Sequence, residues 1–107
     1  MSRSEQEVLR EALTHFELML DHAHGDVMDQ LVVDAVCMRL SAGLEVLNRL
    51  DACVRDELFG DSWRLMWGMR NRIAHGYLLV EPAIIRRTLD TDIPAIMTQI
   101  HRALTGR

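Results

Sequence analysis

The sequence predicts an all-α protein, an antiparallel bundle of four to five helices. Three observations carry this. Apolar residues recur at spacings of three and four through most of the chain. Aromatic residues are only 5%, and Leu, Ile, Val, Met and Ala supply most of the apolar mass, which suits helix packing better than a β-sandwich. Glycine and proline are few, 6 and 2, and Gly25, Gly60, Gly76, Pro82 and Pro94 fall where helices would start or stop.

The first helix is expected from near Ser4. Ser4 and Glu7 make a Ser-x-x-Glu capping box, which satisfies free amides at a helix start. Val8, Leu9, Ala12, Leu13, Phe16, Met19 and Leu20 mark one face, and the helix ends near His24-Gly25. A long second helix is expected from about Asp29 to Leu58, with a stripe through Val33, Val36, Cys37, Leu40, Leu44, Leu47, Leu50 or Asp51, Val54 and Leu58. Leu31, Ala35, Met38 and Ala42 widen its apolar surface, so this helix either lies central in one bundle, or meets a second subunit, or both. Phe59-Gly60 breaks the chain. Asp61 or Ser62 then caps a third helix through Trp63, Met66, Trp67 and Ile73, which ends at Gly76. Tyr77 to Val80 connect to a fourth helix with Pro82 in its first turn. Asp92 and Pro94 start or bend a last helix carrying Ile93, Ile96, Met97, Ile100 and Leu104.

A length of 107 residues suits one domain, taken as residues 1–107. No apolar run approaches the roughly 20 residues of a membrane span, and no signal peptide is visible, so a cytoplasmic protein is expected. Cys37 and Cys53 have no metal or redox spacing and read as buried free thiols in a reducing compartment. His22 and His24 read as a solvated helix end, without the further ligands a metal site needs. No cofactor or metal is expected.

The net charge is −4, which is not the footprint of a general nucleic-acid binder. All 12 basic residues are arginine, however, the side chain best shaped for phosphate. From residue 64 onward Arg64, Arg70, Arg72, Arg86, Arg87, Arg102 and Arg107 face only Glu81, Asp90 and Asp92, so the second half can present a basic surface.

On the third helix Trp63, Met66, Trp67, Ile73 and Ala74 share one sector, and Arg70 falls in the middle of it. An unpaired guanidinium there is expensive to bury, so Arg70 either pairs with a core carboxylate such as Glu45 or serves an interface or phosphate. His75 lies about 140° further round an ideal helix. One chain therefore does not aim both residues at one target. Unwinding at Gly76 would bring them together, as would a twofold dimer that gathers two copies of each around a cleft.

The segment Trp67-Gly-Met-Arg70-Asn71-Arg72-Ile-Ala-His75-Gly-Tyr77 resembles the signature of the HepT family, within the HEPN superfamily of small helical proteins. Arg70, His75 and Tyr77 fill its Arg-x4-His-x-Tyr hallmark. Ala35 to Leu50 resembles the family's central helix, with Glu45 at its recurrent glutamate. Asp92-Ile93-Pro94 with Ile96 and Ile100 resembles its last helix. The chain departs from the family at Leu78-Leu79-Val80-Glu81, where an aromatic-Gly-Val-Asp pattern is frequent, and around Ser41 and Leu44, where an acid and a glycine are.

The resemblance implies a HEPN-like homodimer acting as the toxin of a type VII-like toxin–antitoxin module. It implies a metal-independent endoribonuclease for tRNA or mRNA, with Arg70 and His75 of both subunits as the catalytic groups in a shared cleft. A minimal nucleotidyltransferase is the implied antitoxin, which binds the toxin or transfers AMP to Tyr77. Asn71 orients the phosphate or His75, or bonds only to backbone, and Arg72 meets solvent or RNA phosphate. The alternative is a non-catalytic helical module that docks with, or is AMPylated by, the nucleotidyltransferase.

Overall fold

The computed structural model describes residues 1–26, 29–76 and 81–106, and the statements below concern those residues. Six α-helical segments and one π-helical turn account for nearly all of them: α1 (Arg3–His22), α2 (Gln30–Leu47), α3 (Ala52–Phe59), α4 (Asp61–Gly76), α5 (Pro82–Arg87), the π turn (Thr88–Asp92) and α6 (Ile93–Leu104). Among the described residues there is no strand, and no helix is long and apolar enough to cross a membrane.

Helix α1 begins two residues earlier than expected. Ser2, not Ser4, is its cap: the Ser2 hydroxyl accepts from the Glu5 amide at 3.1 Å, and Glu5 accepts from the Ser2 amide at 3.0 Å. That second bond holds the Glu5 carboxyl below the ordinary glutamate value. Leu9, Ala12, Leu13, Phe16 and Met19 form the buried face. It packs along α2, which buries Val36, Cys37, Leu40, Gly43, Leu44, Val46 and Leu47. Phe16 lies directly against Gly43, where a side chain would leave the ring no room.

The long second helix does not form as one piece. It stops at Leu47, and α3 starts at Ala52. Arg55 supplies the reason. Its Nη1 donates to the carbonyls of Asn48 (2.8 Å) and Leu50 (3.1 Å) and to Asn48 Oδ1 (2.7 Å). Carbonyls freed by the break thus find a cationic donor. Leu50 stays buried within the turn, so the apolar periodicity survives a change of direction.

The last two expected helices run together instead. Pro94 has no amide to offer the carbonyl four residues back, and the wide π turn just before α6 accommodates the slip in register. Thr88, buried in that turn, donates its hydroxyl to the Ile84 carbonyl at 3.0 Å. Helix α6 packs on α1 and α3, while α4 packs on α2 and α3. One apolar core joins all these elements, with Ile93, Ile96 and Ile100 of α6 fully or nearly fully buried in it.

Candidate functional site

Helix α4 carries Arg70, Asn71, Arg72 and His75. Its buried residues are Met66, Met69 and Ile73. At about 100° per residue these three span roughly 60° of arc, and Arg70 lies about 70° from its centre. Arg70 is therefore at the edge of the buried face, not its middle. Met69, absent from the stripe read in the sequence, bounds that arc on the side away from Arg70 and so turns the buried face away from it. The two tryptophans are correspondingly half-buried.

At that edge Arg70 is closely held. Glu45 Oε1 on α2 accepts from both Nε (3.1 Å) and Nη2, the second contact being the shorter. Asn71 Oδ1 accepts from Nη1 at 3.3 Å. The guanidinium also lies over the Trp67 ring, 5.0 Å from its centroid. Trp67 stacks on Trp63 at 5.5 Å, and Trp63 on Phe59 at 6.2 Å, with Arg55 over Trp63 at 5.1 Å. The aromatic ladder is thus capped by an arginine that contacts it. Its signal was present in the four-residue spacing of Phe59, Trp63 and Trp67, with Arg70 three residues on.

A guanidinium has five N–H donors. Glu45 takes one from Nε and one from Nη2, and Asn71 takes one from Nη1. One N–H on each terminal nitrogen remains. Those two are the donors left for a further acceptor such as a phosphate oxygen. Glu45 and Trp67 therefore orient Arg70 without consuming the donors a phosphate needs. The carboxylate offsets the formal charge of the guanidinium, and its 51% exposed side chain keeps that attraction solvent-screened.

His75 is exposed in the last turn of α4, about 150° from the centre of the buried arc. Arg70 and His75 of one chain thus point to different sides. Helix α4 persists to Gly76, so unwinding before that residue does not reunite them. Gly76 has φ 148°, a conformation open chiefly to glycine, and lets the chain leave the helix there. Arg72 is exposed. Tyr77 lies outside the described residues. His22 ends α1 and His24 follows it, and among the described residues no group of three or more His, Cys, Asp or Glu is placed to hold a metal.

Two concavities flank α4. One groove, about 530 Å³, runs between α2 and α4 beside the Arg70–Glu45 pair and is lined by Met38, Ser41, Ala42, Glu45 and Ile73 among others. Met38 (60% exposed) and Leu31 (78%) continue an unpartnered apolar stripe along α2. The other concavity, about 370 Å³, lies on the far side of α4 against α5 and the π turn.

A short helical bundle whose fourth helix presents a pre-oriented arginine and an exposed histidine near its C-terminal end is a HEPN-like domain. The family model described as Ribonuclease HepT-like matches residues 9–103, nearly the whole chain, and the protein belongs to that family. No curated protein and no solved structure gives a significant match.

Proposed function

We propose that this protein is a homodimeric, metal-independent endoribonuclease, the toxin of a toxin–antitoxin module. The observation that carries the reading is the state of Arg70. It is fixed by Glu45, Asn71 and Trp67, yet those bonds leave one N–H on each terminal nitrogen unengaged. A phosphorane in the making develops the negative charge that such pre-oriented donors stabilise.

The dimer follows from two features together. Arg70 and His75 diverge on one helix, and an apolar stripe through Leu31 and Met38 lies uncovered beside the α2–α4 groove. A second copy seated twofold on that groove covers the stripe. It also brings two C-terminal ends of α4 together, and with them two arginines and two histidines. In the resulting cleft one His75 takes the proton of a ribose 2′-hydroxyl. The 2′-oxygen attacks the adjacent phosphorus, and the bond to the 5′-oxygen breaks. The other His75 or a water protonates that oxygen, and Arg70 stabilises the charge on the phosphate. The products are a 2′,3′-cyclic phosphate and a 5′-hydroxyl end. Asn71 holds Arg70 in place, and Arg72 meets RNA phosphate. A cytoplasmic nucleotidyltransferase partner silences the protein by docking on it or by transferring AMP to Tyr77.

The test is expression in cells, with growth and RNA integrity followed, and RNA digestion by the purified dimer in excess chelator. Wild type arrests growth and leaves cyclic phosphate ends. His75→Ala lowers cleavage about 10²–10⁴-fold, and Arg70→Ala about 10²–10³-fold. If both variants cleave like wild type, the site assignment is wrong. If wild type neither arrests growth nor cuts RNA, the protein is a binding module for its partner.

A further inference from the structure

The cleft on the far side of α4 contains three arginines from three places in the chain. Arg64 and Arg72 come from α4, and Arg87 ends α5. All three are exposed. Among the described residues none takes part in a hydrogen bond or ion pair, in contrast to Arg49, Arg55 and Arg70, which are each held by a named acceptor. Asp92 is the single carboxylate on the lining, one against three. Gly68 forms part of the floor, and a Cβ placed there would meet nothing within 4 Å, so a ligand can approach the helix closely.

The cleft is also in line with the proposed chemistry. Arg64, Gly68, Arg72 and His75 follow one another at spacings of four, four and three, which is a single stripe along α4. Arg64 to His75 is eleven residues, about 16 Å of helix at ~1.5 Å per residue. A strand whose reacting phosphate sits at His75 can therefore run its backbone along this stripe.

We propose that Arg64, Arg72 and Arg87 form a phosphate-binding track that holds the RNA backbone to one side of the cleavage site. The track rests on the ribonuclease reading for its direction, but not for its chemistry, which is recognition of successive phosphodiesters. It explains how a protein of net charge −4 engages a polyanion: charge is concentrated locally, where it is wanted. Arg64 and Arg87 are positioning residues, since the cleft lies apart from Arg70.

The experiment is fluorescence anisotropy of a labelled single-stranded RNA oligonucleotide against full-length protein carrying His75→Ala, so that nothing is cut. Adding Arg64→Gln and Arg87→Gln removes two phosphate contacts. Each contributes a salt exponent of about 0.7 for single strands, so the slope of log K against log salt falls by about 1.4, and Kd near 0.1 M salt rises about 25-fold. Arg10→Gln with Arg102→Gln removes equal charge from the exposed faces of α1 and α6 and serves as control. In the cleaving protein the Arg64/Arg87 loss falls on KM more than on kcat.

Equal effects of the two double variants would overturn the track and leave only diffuse charge. Unchanged RNA affinity with lost binding of poly-glutamate would assign the cleft to an acidic protein and overturn it as well. Cleavage with KM indifferent to Arg64 and Arg87 removes the track but leaves the ribonuclease reading standing. Conversely, Arg64- and Arg87-dependent binding in a protein that never cleaves RNA supports the track and removes the catalytic reading.

Discussion

Gly43 and Gly68 are a matched pair of helical glycines with opposite surroundings. An alanine Cβ at Gly43 on α2 would lie 2.9 Å from Cδ1 and Cζ of Phe16, a ring with no exposed surface. At Gly68 on α4 the same Cβ meets nothing within 4 Å. Both replacements gain the same intrinsic helix preference, about 0.5–1 kcal/mol over glycine. Gly68→Ala keeps that gain. Gly43→Ala must displace a ring locked in the core, and overpacking of this kind costs about 1–3 kcal/mol. The two variants therefore separate by about 2 kcal/mol, or about 10 °C in Tm for a chain of this size. Thermal and urea unfolding should be run at one protein concentration, because association shifts the midpoint by mass action. A Gly43→Ala protein that melts with or above Gly68→Ala would refute the close seating of α1 on α2.

Two further outcomes follow from the local chemistry. Glu45→Ala frees Arg70 from its orienting bonds and lowers kcat about 10–100-fold, while Glu45→Gln, which keeps an acceptor oxygen, retains most activity. Denaturation of both shifts by less than about 1 kcal/mol, since the pair is partly exposed, and an unchanged kcat in Glu45→Ala would remove its positioning role. Cys37 is buried, as expected, and its thiol is pushed up to about 11, first by burial and then by Asp34, whereas Cys53, also expected to be buried, is exposed on the short helix α3. A thiol reagent at pH 8 should modify Cys53 alone in the native protein and both thiols after unfolding. Because the folded value lies above the unfolded one, this thiol's stabilising contribution is complete below about pH 9 and is lost as pH rises towards 11.

Much of the fold was legible in the sequence because periodicity reports burial directly. The α1 face from Leu9 to Met19, the break at Phe59-Gly60 and the end of α4 at Gly76 all stand where pattern and glycine placed them. What was hidden depends on side chains reaching across turns. The apolar run from Val33 to Leu58 continues through residues 48–51, and the break there is stabilised by Arg55, whose bonds to Asn48 and Leu50 carbonyls leave no periodic trace. The capping box was ambiguous for a different reason, since Ser2 and Ser4 each have a glutamate three residues on. Joining α5 to α6 required a π turn, which no spacing rule signals. At the site, Arg70 was recognisable as an arginine on an apolar sector. Its exact partners, and the contribution of Met69 in rotating α4, needed the packing of α2 against α4.

That rotation sharpens the strongest functional claim, that the site is assembled from two chains. Arg70 is bonded to Glu45, which lines the α2–α4 groove, and His75 is exposed about 150° from the centre of the buried arc, so the two are separated on any one copy. A mixing experiment distinguishes assembly in trans from a site within one chain. Arg70→Ala and His75→Ala proteins are each nearly inactive as homodimers. Unfolded together and refolded at equal ratio, half the dimers are mixed by random pairing. Each mixed dimer then holds one intact Arg70 and one intact His75, on different chains. If Arg70 of one copy works with His75 of the other, one of the two composite sites is whole, and activity returns to about a quarter of wild type for a twofold dimer. A smaller recovery above both parents is expected if the second His75 also serves as the acid. A site confined to one chain is broken in every dimer, and the mixture then stays as inactive as its parents. Recovery also requires the α2 stripe, so carrying Leu31→Glu and Met38→Glu on both chains should abolish it along with dimerisation. Persistent dimers in that quadruple mixture would move the interface away from α2, whatever the activity.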